Sequence, residues 1–334
     1  MMTPTNRAPL LLLVLMVACD FGASDPAGLG EPVGSGAETF AIAGGRPALV
    51  EEGRRLFFEE TFGGNGRTCG SCHPSPTLVL TPADIAALPP DDPFFAGVMD
   101  FDPVQAQQGM LRYPLGGSSL FEPDVTVFRA IPTIRNVRNT GPYTADGRAT
   151  TLREQALEAA LLHLLDGAAD RPGERLPTAE ELDAIIAFEE AMREPEAGGL
   201  GLKLKTAEAR EGQQLFFGAA RCTACHLPPM FTDNQFHNIR APGGGSVPDP
   251  GRCRIEPGSP DCWSGSAFNT SQLRGIRNTA PFFHDNSMPT LRAVVEFYNS
   301  SAFSESPAAE RLGIGPLGLG TAEVDALIAF LEEL

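Results

Sequence analysis

Two pentapeptides carry residues that could do redox chemistry: Cys69-Gly70-Ser71-Cys72-His73 and Cys222-Thr223-Ala224-Cys225-His226. CxxCH is the pattern that attaches a c-type haem. Two thiols separated by two residues can add to the two vinyl groups of one porphyrin edge. The histidine that follows then lies under the ring and ligates the iron. A CxxC alone would equally suit a redox dithiol or half of a zinc site. Two copies, each followed at once by histidine, point instead to two covalent haems c. One would be held by Cys69, Cys72 and His73, the other by Cys222, Cys225 and His226.

Those four thiols leave three of the seven cysteines. Arg7 is followed by an apolar run over 8–18 that is too short to span a bilayer and reads as a signal peptide. It ends in Met16-Val17-Ala18-Cys19, which resembles a bacterial lipobox with Cys19 as the lipid-carrying residue. An ordinary cleaved signal is the alternative. Either makes the chain an exported, periplasmic protein. Cys253 and Cys262 remain, in a Pro/Gly-rich loop, and a disulfide between them suits an oxidising compartment. The formal charge of −17 argues against nucleic acid or an anionic membrane surface as partner, leaving the lipid as the one membrane link. It would suit a basic redox partner.

The elements that position the pentapeptides come in two copies. Glu52-Gly53-Arg54-Arg55-Leu56-Phe57-Phe58 leads into the first motif and Glu211-Gly212-Gln213-Gln214-Leu215-Phe216-Phe217 into the second. Downstream, Arg138-Asn139-Thr140-Gly141-Pro142 matches Arg277-Asn278-Thr279-Ala280-Pro281, and Thr151-Leu152-Arg153 matches Thr290-Leu291-Arg292. Each copy closes on a similar helix, Leu182 to Phe188 against Val324 to Phe330. Collinear matches in one order imply a duplication. The period is helical, with Leu182, Ile185, Ile186 and Met192 on one face and Val324, Leu327, Ile328 and Leu331 on the other copy's. Thr151 with Glu154, and Thr178 with Glu181, are capping boxes. No sustained period-two run appears. The expected fold is mostly α: two cytochrome c-like haem domains from an internal duplication, with long irregular loops. The expected limits are a signal peptide over 1–18, a flexible tether over 19–45, an N-terminal haem domain over 46–200 and a C-terminal one over 201–334.

At this level the chain resembles the bacterial di-haem cytochrome c peroxidases and their relative MauG, over about 51–334. The paired CxxCH motifs carry the resemblance, together with Phe231-Thr232-Asp233-Asn234-Gln235-Phe236-His237-Asn238, Leu273-Arg274, Asn278-Thr279-Ala280-Pro281-Phe282-Phe283-His284-Asp285 and Asp146-Gly147-Arg148. The resemblance implies that the N-terminal haem meets hydrogen peroxide and the C-terminal haem stores or relays an electron. No histidine lies between His73 and His163, so it also implies an N-terminal iron with an open distal position, as in MauG. Tyr298 falls where the family ligates the second iron, with Met288 as the competing ligand. Gln155 matches a distal glutamine. The distal glutamate falls on Leu165, so Asp166, nearly on Gln155's helical face, and His163 stand as substitute proton carriers. The inter-haem tryptophan falls on Ala145, with Tyr143 the neighbouring alternative. A bridging calcium would use the carbonyls of Thr279 and Pro281, but its side-chain ligand falls on Ala130. His237 and His284 read as residues that fix loops by hydrogen bonds.

The reading is a peroxidase-like oxidoreductase that reduces hydrogen peroxide with electrons from a small periplasmic donor, a c-type cytochrome or a cupredoxin. The alternatives are a MauG-like oxidase that modifies a partner protein with peroxide, and a non-enzymatic di-haem electron carrier.

Overall fold

Two helix crossings, each closed on a glycine, set the frame for both pentapeptides. The computed structural model describes residues 47–75, 77–96, 108–115, 125–164, 173–193, 202–243 and 248–334, all within one compact unit. In chain order its helices are α1 (Pro47–Glu59), α2 (Cys69–Cys72), α3 (Pro82–Ala87), α4 (Leu152–Leu164), α5 (Ala179–Ala191), α6 (Ala207–Phe217), α7 (Leu291–Tyr298), α8 (Ser301–Ser304), α9 (Pro307–Leu312) and α10 (Thr321–Glu332). The mostly helical expectation holds. Among the described residues, no helix is long and apolar enough to cross a membrane. The signal segment and Cys19, and further on Leu165 and Asp166, lie outside the described residues.

Helix α1 packs on α5 and α6 packs on α10. A Cβ on Gly53 would stand 1.9 Å from the carbonyl oxygen of Ala184, and one on Gly212 would stand 1.9 Å from that of Ala326. Only glycine permits backbones this close. Beside each contact the same aromatic pair meets: Phe57 with Phe188 at 5.3 Å between ring centroids, and Phe216 with Phe330 at 5.2 Å. These pairs seed two hydrophobic cores, one around Leu56, Phe57, Ile185 and Phe188, the other around Phe216, Phe231, Leu327 and Phe330. The caps read from sequence are present. The Glu154 amide donates to Thr151 Oγ1 at 3.1 Å and the Glu181 amide to Thr178 Oγ1 at 3.2 Å, each carboxylate accepting from the cap's own amide in return.

The loops also match. A single 3₁₀ turn covers Val137–Asn139 in one half and Ile276–Asn278 in the other, each entered through a left-handed residue, Asn136 (φ 58°) and Gly275 (φ 72°). Each turn is followed by a cis X-Pro bond, Gly141–Pro142 and Ala280–Pro281. The expected disulfide joins Cys253 to Cys262.

One expectation fails. Strands β1 (Met110–Leu115) and β2 (Val125–Ala130) form an antiparallel pair with Met110 opposite Ala130, where no period-two run was read. The alternation exists, but its inward residues are Val127 and Arg129. A buried arginine breaks the apolar pattern, and Pro114 lowers the strand propensity of β1. A second, two-residue pair joins β3 (Phe236–His237) to β4 (Phe268–Asn269).

Candidate haem centres and the interface between them

Each pentapeptide opens on a short helical turn of its own, Cys69–Cys72 after α1 and Cys222–Ala224 after α6. His73 Nδ1 lies 3.1 Å from the carbonyl oxygen of Leu78, and His226 Nδ1 lies 2.9 Å from that of Phe231. A carbonyl accepts only, so in each ring Nδ1 carries the proton and Nε2 keeps its lone pair. That is the arrangement a metal-ligating imidazole needs. The rings sit alike against their cores, His73 at 6.4 Å from Phe57 and His226 at 6.5 Å from Phe216. Burial pushes the His73 pKa down to about 4 and lowers that of His226, so both rings are neutral and available as ligands.

The thiols argue against the rival readings. Burial first, then the neighbouring Glu189 carboxyl, pushes the Cys69 thiol well above its ordinary range, and burial pushes Cys222 up to about 12. A redox dithiol needs the opposite shift. For zinc, the one group of potential ligands among the described residues is Cys225, Asp233 and His237. His237 is already spent. Its Nε2 donates to Asp233 at 2.8 Å and its Nδ1 accepts from Arg311 at 2.7 Å, while Arg311 also clasps Asp261. The donor set of each pentapeptide therefore fits haem c: two thiols outside any disulfide and one neutral, oriented imidazole. His284, stacked on Phe268 at 3.8 Å, also sits apart from both motifs.

What faces each histidine differs. Helix α7 starts on Thr290, whose Oγ1 accepts from the Ala293 amide at 3.1 Å, and Arg292 reaches across to Asp325. In the first half Thr151 caps α4 in the same way and Arg153 reaches across to Asp183. Matching caps and matching ion pairs fix the register of α4 against α7. In that register Tyr298 stands opposite Ala159, and Val294 opposite Gln155. Tyr298 packs against Phe303 at 4.8 Å and Phe297 at 5.5 Å. Tyr298 also shares a packed cluster with Ala224 of the second motif, and burial, then the sulfurs of Cys225 and Cys222, raises its phenol pKa. Met288 is held nearby by backbone bonds to Phe282 and packs into both adjoining clusters.

On α4, Gln155, Ala159 and His163 fall at i, i+4 and i+8, one face of the helix. His163 is buried and its Nδ1 has no hydrogen-bond partner. Burial, Arg67 and His73 together push its pKa down to about 4, so it is a neutral ring close to the first proximal histidine. Gln155 and Ala159 are half-buried. A carboxyl that sequence reasoning passed over, Glu158, lies one turn from Gln155 and has its pKa raised by burial.

Between the halves is a buried charge cluster that sequence reasoning also missed. Arg129 donates to both oxygens of Asp249, at 2.6 and 2.8 Å, and to Asp146 at 2.8 Å. Arg148 and Thr144 also hold Asp146. The backbone continues the join. The Ala130 amide donates to the His284 carbonyl at 2.7 Å and the Asn269 amide to the Ala145 carbonyl at 2.9 Å. The two positions where the resemblance expects a calcium ligand and a tryptophan are thus backbone junctions. The Thr279 hydroxyl donates to the Ile276 carbonyl at 3.0 Å, within its own turn.

No family model matches the chain. Among curated proteins, the cytochrome-c peroxidase IdrP2 of Denitromonas iodatirespirans is 27% identical over 346 residues, which span 87% of this chain and 82% of that protein. The methylamine utilization protein MauG of Methylorubrum extorquens is 35% identical over 128 residues, 38% of this chain and 35% of that protein. Among solved structures, the diheme peroxidase BthA from Burkholderia thailandensis superposes with a TM-score of 0.56 at 22% identity, covering 86% of this chain and 85% of that one. The chain is similar over most of its length to a cytochrome c peroxidase and over about a third of it to MauG, and its fold is that of a di-haem peroxidase.

Proposed function

We propose that the chain is a periplasmic di-haem c-type peroxidase, built from one duplicated haem domain and divided near residues 200 and 201. One observation carries the reading: in the register set by the matching caps and ion pairs, Ala159 on α4 stands where α7 carries Tyr298. The first iron is open and the second is capped. Haem, when bound, supplies a redox-active iron at which peroxide can bind.

The chain's residues do the rest. Cys69 and Cys72 hold the first haem, and His73, its Nδ1 proton tied to Leu78, keeps its ring orientation. The short Ala159 side chain leaves room for peroxide. Gln155 donates a hydrogen bond that orients it. The neutral His163 ring takes a proton from the near peroxide oxygen through its unpartnered Nδ1 and returns it to the departing one. Asp166 is the second candidate for that step. Cys222, Cys225 and His226 would hold the second haem, and Tyr298 would offer its iron a phenolate, a ligand that favours the oxidised state. Two electrons from the donor and two protons convert hydrogen peroxide to two waters. The acidic chain suits a donor with a basic face, a small cytochrome c or a cupredoxin. Cys19 anchors the protein to the membrane through lipid. Calcium at the Thr279 and Pro281 carbonyls is the less supported cofactor, because Ala130 brings no ligand and the Arg129 guanidinium beside it already serves as the cation between the halves.

The test is spectroscopic. The oxidised holoprotein should show one high-spin and one low-spin ferric haem by electron paramagnetic resonance. Stoichiometric peroxide should rapidly remove the high-spin signal, and Tyr298→Phe should change only the low-spin one. Two low-spin, peroxide-inert haems would refute the reading in favour of an electron carrier. A partner protein oxidised only when peroxide and this protein are both present would favour the MauG-like reading.

A further inference from the structure

Glu189 is a buried carboxyl with no task in the chemistry above. It lies on the core-facing stripe of α5, with Leu182, Ile185 and Met192, and only 5% of it is exposed. Its Oε2 atom has no hydrogen-bond partner. In the second half the matching stripe is Val324, Leu327, Leu331 and Leu334, so leucine stands where the first half has glutamate. The scaffold accepts an apolar residue there. An under-satisfied buried carboxyl destabilises the fold, more so if charged, and gains it nothing. Its neighbours show what it is near. The Cys69 thiol and the Tyr143 phenol both feel its charge. Cys69 also packs on the cluster that contains Leu182, Ile185 and Met192 of the same stripe, so Glu189 borders the thioether edge of the first haem site.

We propose that Glu189 is the proton-loading group of the first haem site: its carboxylate takes one proton from solvent for each electron the external donor delivers to the haem held by Cys69, and releases it when that electron leaves. This rests on the haem attachment proposed above. The electron comes from the donor protein and the proton from water, so charge at the buried site stays constant through reduction and reoxidation. Electroneutrality is the physical reason. In a low-dielectric interior an uncompensated charge beside a carboxylate is expensive, and a proton transfer cancels it.

The surroundings leave the carboxyl free to do this. Burial, then the adjacent Glu190 on the same helix, pushes its pKa up to about 8. The positive charge of an oxidised haem lowers that value and its loss on reduction restores it, which brackets neutral pH. Helix α1 faces α5 with Val50, Gly53, Leu56 and Phe57. From α4, Arg153 spends its charge on Asp183, and Arg138 of the 137–139 turn is exposed. Cys69 carries no charge once its sulfur is a thioether, and Tyr143 has its pKa raised by burial, then by Glu190 and Glu189, and stays neutral.

The experiment is potentiometric titration of the holoprotein against pH, followed optically so that each haem is resolved. The first haem's midpoint potential should fall by about 59 mV for each tenfold drop in proton activity, while the second haem's stays nearly level. In Glu189→Gln, and in Glu189→Leu, that slope should flatten at the first haem alone. An unchanged slope in either variant overturns the proposal. Redox-difference infrared spectra of the unaltered protein add a readout independent of any variant. A carboxylic acid C=O band should grow on reduction, and its absence overturns the proposal even if both variants misfold. Haem content at Cys69 is scored separately by mass, so a missing haem would refute the attachment and an unresponsive haem only the role of Glu189.

Discussion

Replacing Arg129 with methionine should be among the most damaging single changes in the chain, and the structure indicates by how much. The guanidinium makes two bonds to Asp249 and one to Asp146, with the three side chains 5%, 6% and 1% exposed. Removing one member of a buried ion pair strands the other charge and costs about 3–5 kcal/mol. Asp146 would keep Arg148 and Thr144, but Asp249 would retain, among the described residues, only the hydrogen bond from the Gly251 amide. At about 2–4 °C per kcal/mol for a chain of this size class, the melting temperature should drop by roughly 6–20 °C. The pH dependence has a definite sign. Burial raises the Asp146 pKa, but the Arg148 hydrogen bond and the Arg129 charge outweigh it and hold it well below the carboxylate range. A depressed carboxylate contributes stability that is present above its unfolded value, about 3.9, and is lost as pH falls through the folded one. The variant lacks part of that contribution, so the gap between it and the parent should stay level from pH 7 to about 4 and narrow as the pH is lowered below that. The assay is thermal unfolding of the holoprotein by circular dichroism across that range, with Arg129→Met/Asp249→Leu as a partner variant that removes the stranded charge and recovers much of the loss. A deficit under about 1 kcal/mol at pH 7, or one that grows in acid, would show that the cluster does not bind the halves as argued.

Two further outcomes follow from the paired architecture. Gly212→Ala raises helix propensity by about 0.5–1 kcal/mol, but its Cβ would stand 1.9 Å from the Ala326 carbonyl. Overpacking against backbone costs about 1–3 kcal/mol, so the net effect in chemical denaturation should be destabilising, and a more stable variant would refute the crossing. Ala159→Tyr puts a phenol where α7 carries Tyr298. It should turn the high-spin haem low-spin and abolish its reaction with peroxide, and an unchanged high-spin signal would sink the register on which the open iron rests.

What could be read ahead of the structure was whatever acts within one turn. The pentapeptides, the Thr-Glu caps and the repeated helix faces are local patterns, and each appears where its spacing puts it. The hairpin escaped because its inward face holds Arg129, and the Arg129–Asp249 pair joins residues 120 positions apart. Glu189 escaped for a subtler reason. Beside Glu190, and scored against hydrophobic periodicity, it reads as one more solvated charge at the end of a helix. Its burial follows from the closeness of α1 to α5, which depends on Gly53.

The constraints on the two halves explain where they are free to differ. The glycine contacts, the histidine–carbonyl bonds and the threonine caps act on backbone atoms of the chain itself, so any change there disturbs packing. On the proposed reading, the faces of α4 and α7 carrying Gln155, Ala159 and Tyr298, and the stripe of α5 and α10 whose clusters hold Cys69 and Cys222, would act on a cofactor. Substitutions there alter chemistry at little cost to the frame. The halves do part at those positions: Gln155 against Val294, Ala159 against Tyr298, Glu189 against Leu331. At each one the first half is polar or open and the second is apolar or closed. On the function proposed above, three changes on one scaffold would be enough to set a haem site that admits peroxide and moves protons beside one that does neither. Division of labour between otherwise similar haems needs no difference in fold.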